Sequence, residues 1–174
     1  IRNEANSTAL TNANLATAAT NGGSDVSDVY AVSGGALTVN TGYELYVQSG
    51  DVFAPGGTVT LDDADINGTF TAAANSVSVS GTWDATGGAF SSSCTTTFTS
   101  TSSETITSNG SSFGNVTFNG SGGTWILQDT MTVSGNLTIT TGTLDVKNGS
   151  NNALQVGGNW SNSGTFLPRS GTVY

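Results

Sequence analysis

The chain has 174 residues, enough for one domain, but only 35% of them are hydrophobic, which is few for a globular core. Twelve acidic residues stand against three basic ones, so nucleic-acid binding is not expected, because phosphate neutralisation needs clustered Lys and Arg. The absence of His excludes Ser-His-Asp and Cys-His catalysis and imidazole-ligated metals. No stretch approaches the roughly 18 continuous apolar residues of a membrane-spanning helix, so membrane insertion is not expected.

Residues 1–29 are predicted to form an N-terminal arm or cap. Residues 5–20 contain no Gly or Pro and are rich in Ala, which predicts a short helix that covers the first coil of the domain. The predicted inward side of this helix carries Ala9, Leu10, Ala13 and Ala16. The alternative is an extended arm that pairs with another segment. Residues 21–25 are predicted to be a loop, and the initial Ile1 suggests a processed N-terminus.

From residue 30 to residue 174, short apolar–polar–apolar triplets alternate with turns rich in Gly, Asn, Ser and Thr. Triplets such as Leu137-Thr138-Ile139 predict very short strands with one buried face. A Gly followed by a small or polar residue and then an apolar one marks the corners between strands, by positive φ or by close backbone approach. Twelve such corners occur, at Gly35, Gly57, Gly68, Gly81, Gly88, Gly114, Gly123, Gly135, Gly142, Gly158, Gly164 and Gly171.

The spacing of these corners favours an all-β fold, a β-solenoid resembling a parallel β-helix. A β-sandwich, with fewer and longer strands, is the alternative. A shift of 77 residues places Gly81 on Gly158 and Trp83 on Trp160, which predicts an internal duplication. With about 20–26 residues per coil, residues 30–174 hold about six or seven coils. Both Trp side chains are expected to point inward, and both Gly residues to form equivalent corners.

The main acidic cluster is Leu61-Asp62-Asp63-Ala64-Asp65-Ile66-Asn67-Gly68. Asp63, Asp65 and Asn67, followed by Gly68, match the first half of a calcium loop, in which alternate oxygen ligands converge. The loop's final bidentate carboxylate is replaced by Ala74. An ordinary solenoid corner is therefore favoured, with a weak calcium site as the alternative and no other cofactor expected. A carboxylate pair that cleaves polysaccharide is a further alternative, although no Lys or Arg lies nearby in sequence to hold an acidic substrate.

Residues 90–125 are dominated by Ser and Thr. Ordered strands are preferred here over a glycosylated linker, because Phe90, Phe98, Phe113 and Phe118 recur at intervals suited to inward positions. Cys94, the single cysteine, is expected to be a small half-buried residue, with an intermolecular disulfide as the alternative.

Pairs of outward Thr residues are candidates for a surface that binds ice or glycan. Their irregular spacing in the sequence argues against such a surface. The pairs are Thr69/Thr71, Thr97/Thr99, Thr105/Thr107 and Thr138/Thr140.

Residues 90–174, and above all the runs at 98–146 and 157–174, resemble the tandem repeats of very large predicted surface proteins from uncultured bacteria. More loosely, the chain is similar to the β-solenoid stalks of autotransporter and filamentous-haemagglutinin-type adhesins, although residues 30–90 fit only in pattern. The resemblance implies a secreted, non-enzymatic fibre subunit or cell-surface stalk. It supplies no functional residues to transfer.

Self-association is the expected partnership, either head to tail or as part of a longer repeat array. In the 77-residue alignment, Tyr174 matches Thr97 and the following inward Phe98 has no counterpart. An open coil exposes unpaired backbone groups, which natural proteins cover or use. The next subunit is expected to cover it, with its first coil or with residues 1–29 added as a strand.

Overall fold

The structure, a computed structural model, describes residues 10–22 and 30–174. Within these residues there is one helix, α1, at Asn12–Gly22, followed by nineteen strands. The strands are β1 Tyr30–Ser33, β2 Ala36–Val39, β3 Glu44–Val47, β4 Val52–Phe53, β5 Val59–Leu61, β6 Asp63–Ile66, β7 Thr69–Ala73, β8 Val77–Val79, β9 Trp83–Asp84, β10 Ala89–Ser92, β11 Thr95–Phe98, β12 Ser103–Thr107, β13 Ser112–Phe113, β14 Asn115–Leu127, β15 Met131–Val133, β16 Leu137–Asp145, β17 Leu154–Val156, β18 Trp160–Asn162 and β19 Thr165–Leu167.

From β2 onward the strands stack in parallel as a β-solenoid of seven coils with three faces. Face 1 contains β2, β5, β8, β11, the first parts of β14 and β16, and β18. Face 2 contains β3, β6, β9, β12, the last parts of β14 and β16, and β19, and face 3 contains β4, β7, β10, β13, β15 and β17. Faces 1 and 2 form one sheet because β14 and β16 continue around the corner between them. The predicted solenoid is confirmed, and the sandwich alternative is wrong.

Coil length varies, although the central residues of the strands on face 1 stay in register from coil to coil. On face 1, Val59 pairs with Val77, an offset of 18 residues, whereas Leu137 pairs with Trp160, an offset of 23. The extra residues lie in the corners, so the strands of successive coils stay aligned.

The 77-residue correspondence does not coincide with a structural repeat. Val77 lies on face 1 and its sequence match Leu154 on face 3, while Trp83 lies on face 2 and Trp160 on face 1. Four coils along face 1 lead from Val77 to Trp160, which is 83 residues and not 77. All three faces use the same triplets and Gly corners, so sequence matching aligned one face with another.

The interior is a continuous column of apolar side chains, many of them aromatic. Trp83 is fully buried, and its ring lies 4.7 Å from that of Phe90 and 5.6 Å from that of Phe113. Trp160 points inward but is only half-buried in the last coil, 4.9 Å from Phe166. The inward position predicted for both Trp residues is confirmed, with full shielding only at Trp83.

Helix α1 and strand β1 cover the N-terminal end of the first coil. Strand β1 pairs antiparallel with β2, and Leu10 forms a parallel bridge with Phe53. Asn12 donates side-chain hydrogen bonds to the carbonyls of Gly35 and Thr58, at 2.7 and 3.3 Å, and Leu15 enters the core. A folded cap therefore covers the first coil, and the outer edge of β2 on face 1 is already paired with β1.

The predicted inward side of this helix is wrong in part. Ala13 is exposed and Ala16 half-buried, whereas Asn12 and Leu15 are buried. The spacing of apolar residues could not identify the inward side of the helix, because Ala lies on every side and Leu15 is the one large apolar residue. Ala9 and residues 23–25 of the predicted loop lie outside the described residues, and Asn21 and Gly22 belong to the helix.

Corner glycines are required mostly by close packing of one coil on the next. Of the twelve predicted corners only Gly35 and Gly142 have positive φ. A Cβ at Gly81 would lie 2.1 Å from Oδ1 of Asp63, and one at Gly158 would lie 2.7 Å from the carbonyl oxygen of Gly135. The corner prediction for Gly81 and Gly158 therefore holds in its close-approach form and not through positive φ.

Candidate functional site

Charge is confined to one face of the solenoid and to its corners. Among the described strands, those of faces 1 and 3 contain no charged residue, apart from the stretches of β14 and β16 that belong to face 2. The strands of face 2 carry six carboxylates, at Glu44, Asp63, Asp65, Asp84, Glu104 and Asp145.

Two of the three predicted calcium ligands lie in an extended strand on face 2, and the third, Asn67, directly follows that strand. Asp63 and Asp65 belong to β6, where alternate side chains point the same way in parallel and do not converge as in a calcium loop. Asp63 Oδ1 accepts a hydrogen bond from the backbone N–H of Thr82 at 2.6 Å, and Asn67 Nδ2 donates to Asp65 Oδ1 at 2.6 Å. In the described part of the chain no group of three or more Asp, Glu or Cys residues is placed to hold a metal ion. Calcium binding by Asp63, Asp65 and Asn67 stays a prediction.

Asp65 lies directly beside another carboxylate in the parallel ladder. Asp65 of β6 is in register with Asp84 of β9. Partial burial and the charge of Asp84 raise the pKa of Asp65, and the hydrogen bond from Asn67 lowers it to a smaller extent. Asp65 therefore holds a proton more readily than an ordinary aspartate does.

A polar groove follows the corner between faces 1 and 2 in the first four coils. Asp62 accepts hydrogen bonds from the backbone N–H of Gly42 at 2.6 Å and from Ser80 Oγ at 2.8 Å. Glu104 accepts one from Thr82 Oγ1 and one from Ser100 Oγ, both at 3.1 Å. These carboxylates join neighbouring coils, which accounts for them structurally. The groove is lined by Thr41, Asp62, Asp63, Ser80, Gly81, Thr99, Ser100, Thr101, Ser102 and Glu104.

Both cations among the described residues are engaged between coils. Arg169 binds Asp145 in a bidentate pair, with Nε to Oδ1 at 3.0 Å and Nη2 to Oδ2 at 2.7 Å. Hydrogen bonding from Arg169 is the main cause that lowers the pKa of Asp145. Lys147 Nζ donates to Gln128 Oε1 on the preceding coil. These contacts connect the last three coils on face 2.

The most regular surface is the outward side of face 1, which we call the hydroxyl array. By ladder register its central column has one residue per coil: Thr38, Thr60, Ser78, Thr97, Thr117, Thr138 and Ser161. Within the described residues, none of these seven hydroxyls makes a hydrogen bond to another protein group. They are therefore left to water or to a ligand.

Small polar residues flank the central column on both sides, and one carboxylate lies among them: Asp62, two positions after Thr60, which accepts a hydrogen bond from Ser80 Oγ. Thr95 is in register with Asn115 on one side, and Asn119 with Thr141 on the other. Along one edge Asn115 Oδ1 accepts a hydrogen bond from the backbone N–H of Asn136 at 2.9 Å, and Asn136 Oδ1 accepts one from Asn159 at 2.8 Å. These asparagine side chains fix the spacing of the last three coils.

The predicted Thr pairs do not share a face. Face 1 contains the pair Thr97/Thr99 and, from another pair, Thr138. The pair Thr69/Thr71 lies on face 3 and the pair Thr105/Thr107 on face 2. Thr140 falls where the register shifts, so that Thr141 pairs with Asn119. The array was missed because coils differ in length, so residues aligned in space are unevenly spaced in sequence.

Cys94 is half-buried and forms no disulfide, with its Sγ 3.3 Å from Ser76 Oγ. In the described chain no helix is both long and apolar enough to span a membrane. Comparisons with protein-family models, curated proteins and solved structures found no match.

Proposed function

We propose that this chain is a non-enzymatic structural or adhesive segment of an extracellular, cell-surface stalk. One observation carries the proposal: seven coils share one uninterrupted parallel ladder and one interior column. In such a solenoid each coil contacts only its neighbours, so the fold extends along one axis and presents long uniform faces. Stalks and fibres need this combination of stiffness and repetition.

The placement of the charged groups supports a non-enzymatic role. Asp62, Asp63 and Glu104 accept hydrogen bonds from neighbouring coils, and Asp145 is paired with Arg169. A glycosidase would instead need one carboxyl group to donate a proton and a second to attack or to activate water. Asp65 and Asp84, which lie side by side on face 2, accept hydrogen bonds from Asn67 and Thr86 respectively.

Self-association, or continuation in a longer array, is the proposed partnership. In the last coil Trp160 and Phe166 are half-exposed, whereas Leu137 and Leu144, their neighbours one coil earlier, are buried. A further coil would bury this surface. Because α1 and β1 already cover the first coil, head-to-tail assembly requires this cap to move aside, and a longer array does not.

Electron microscopy and analytical ultracentrifugation of the intact protein at high concentration test the proposal. End-to-end particles are expected, and substitution of Phe166 by Lys should shift them towards single units by charging the exposed apolar end. Gln155→Lys, on exposed face 3 of the preceding coil, is the matched control. A protein that stays monomeric at every concentration would contradict self-association, and the longer array would then remain as the proposed partnership.

A second candidate function is recognition of a repeating, uncharged surface such as ice or a glycan. The hydroxyl array favours it, because seven outward hydroxyl groups without protein partners recur once per coil on strands that, within face 1, carry no charged residue.

A further inference from the structure

We propose that the hydroxyl array of face 1 binds ice. This inference rests on the second candidate function, and it does not depend on whether the solenoid assembles into fibres. The array is a two-dimensional set of hydroxyl and amide groups at fixed spacing, and ice is a partner of matching kind: uncharged, periodic and made only of hydrogen-bond donors and acceptors.

Backbone geometry sets the periodicity of the array in two directions. Neighbouring parallel strands are about 4.8 Å apart, so the hydroxyls of Thr97, Thr117 and Thr138 repeat at about that distance along the solenoid axis. Across the face, outward residues such as Thr97 and Thr99 are two positions apart, which is about 6.6 Å. A hydroxyl group both donates and accepts hydrogen bonds, so such an array holds a layer of water at regular positions.

The array is fixed from below by the core. Thr117 is flanked by inward Val116 and Phe118, which are 1% and 0% exposed. Phe98, beneath the same column one coil earlier, stacks on Phe118 with ring centroids 5.2 Å apart. Threonine is also β-branched and therefore restricted at χ1. Water or ice that binds the array meets groups that are already ordered, which lowers the entropic cost of binding.

The chemistry of the array disfavours the other occupants. A glycan surface is usually met by aromatic platforms, and the outward column and its flanking residues on face 1 contain no aromatic side chain among the described residues. A second copy would bury hydrated hydroxyls against hydrated hydroxyls, with little apolar area to drive association. The carboxylates of face 2 would hold a strongly hydrated ionic layer there, so ice should meet face 1 and not face 2. The described strands of face 3 carry no charge, but hydroxyl groups fill their outward column in only four successive coils, at Thr71, Ser91, Ser112 and Thr132.

The test is inhibition of ice recrystallisation by the purified protein, together with microscopy of single ice crystals grown in its presence. Thr117→Lys places a charged, flexible side chain in the middle of the array. Thr132→Lys is the matched control, because Thr132 is an outward residue of the same coil on face 3. We expect wild type and Thr132→Lys to inhibit recrystallisation and shape crystals, and Thr117→Lys to need a concentration about tenfold higher or more, as for a central interface residue.

As a control, circular dichroism and thermal melting should be the same for all three proteins, which would show that they share one fold. Wild type without effect on ice, or equal activity of Thr117→Lys and Thr132→Lys, would overturn the inference. So would retention on insoluble cellulose or chitin with the same dependence on Thr117 but no effect on ice, since the array would then be a glycan surface. None of these results would change the particle shape and association measured for the proposed stalk.

Discussion

Faces 1 and 2 belong to the same sheet and cover the same interior, yet the residue types in their outward columns differ. On face 1 Thr or Ser occupies the central column in all seven coils. On face 2 the column through Tyr46, Asp65, Asp84 and Thr107 places only two carboxylates in succession. A parallel ladder stacks like on like, which costs nothing for neutral hydroxyls and is repulsive for carboxylates. Long uniform surfaces in this fold are therefore built from uncharged residues.

The largest expected effect concerns the apolar interior that faces 1 and 2 share. Trp83→Ala on face 2 and Phe118→Ala on face 1 should each destabilise the protein by about 3–5 kcal/mol, because both side chains are fully buried and their loss leaves a cavity. Trp160→Ala should cost less, since Trp160 is only half-buried. Chemical denaturation followed by circular dichroism measures all three. If only one of the two buried positions proved sensitive, the faces would not share a single cooperative core.

The next effect separates the inside of face 1 from its outside. Thr96 is fully buried, its hydroxyl has no hydrogen-bond partner, and its register neighbours are Val77 and Val116. Thr96→Val should therefore stabilise the protein by about 1–2 kcal/mol, by removing an unsatisfied buried polar group without changing its shape. Thr97→Val, one residue along and outward, should stay within about 0.5 kcal/mol of wild type. Equal responses of the two variants in thermal melting would mean that the inward and outward assignment of this strand is wrong.

The sequence predicted the coils and their inward residues well, because each apolar–polar–apolar triplet indicates one strand and its two inward residues. Phe90, Phe98, Phe113 and Phe118 were all correctly placed inside. Relations between coils were predicted poorly, since all three faces follow the same local pattern and the corners vary in length. The 77-residue match and the Thr pairs failed for these reasons. The predicted inward side of the helix was wrong in part for another reason, because Ala lies on every side of it.

The calcium ligands illustrate the same limit at shorter range. The spacing of Asp63, Asp65 and Asn67 is that of a calcium loop, but spacing does not tell a loop from an extended strand. In β6 the spacing is fixed by the strand repeat of two, and Asp63 instead accepts a hydrogen bond from the next coil. For Asp63 the partner lies on the neighbouring coil, 19 residues away in sequence, where local spacing gives no information.

The smallest expected effect concerns Asp65 and Asp84, one of two pairs of carboxylates that are in register on face 2. Because the pKa of Asp65 is raised in the folded protein, by partial burial and by Asp84, the native state binds a proton more readily than the unfolded chain does. Ionised Asp65 therefore costs stability at neutral pH, and this cost is relieved as the pH falls through the raised pKa towards the ordinary value of 3.8. Asp65→Asn should stabilise the protein at pH 7 by less than about 1 kcal/mol, since the site is half-exposed and screened.

Ionised Asp145 is expected to stabilise the folded protein, the opposite of ionised Asp65, so Asp145→Asn is the matched control. Hydrogen bonds from Arg169 lower the pKa of Asp145, so its contribution to stability is present above the ordinary pKa of 3.8 and is lost as the pH falls through the lowered value. Asp145→Asn should destabilise the protein at pH 7 and flatten its acid-induced loss of stability, whereas Asp65→Asn should make that loss steeper. Urea denaturation at a series of pH values between neutral and strongly acidic measures both slopes. Parallel profiles for the two variants would mean that the pKa of Asp65 is not raised in the folded protein, and therefore that neither its partial burial nor the neighbouring Asp84 acts on it.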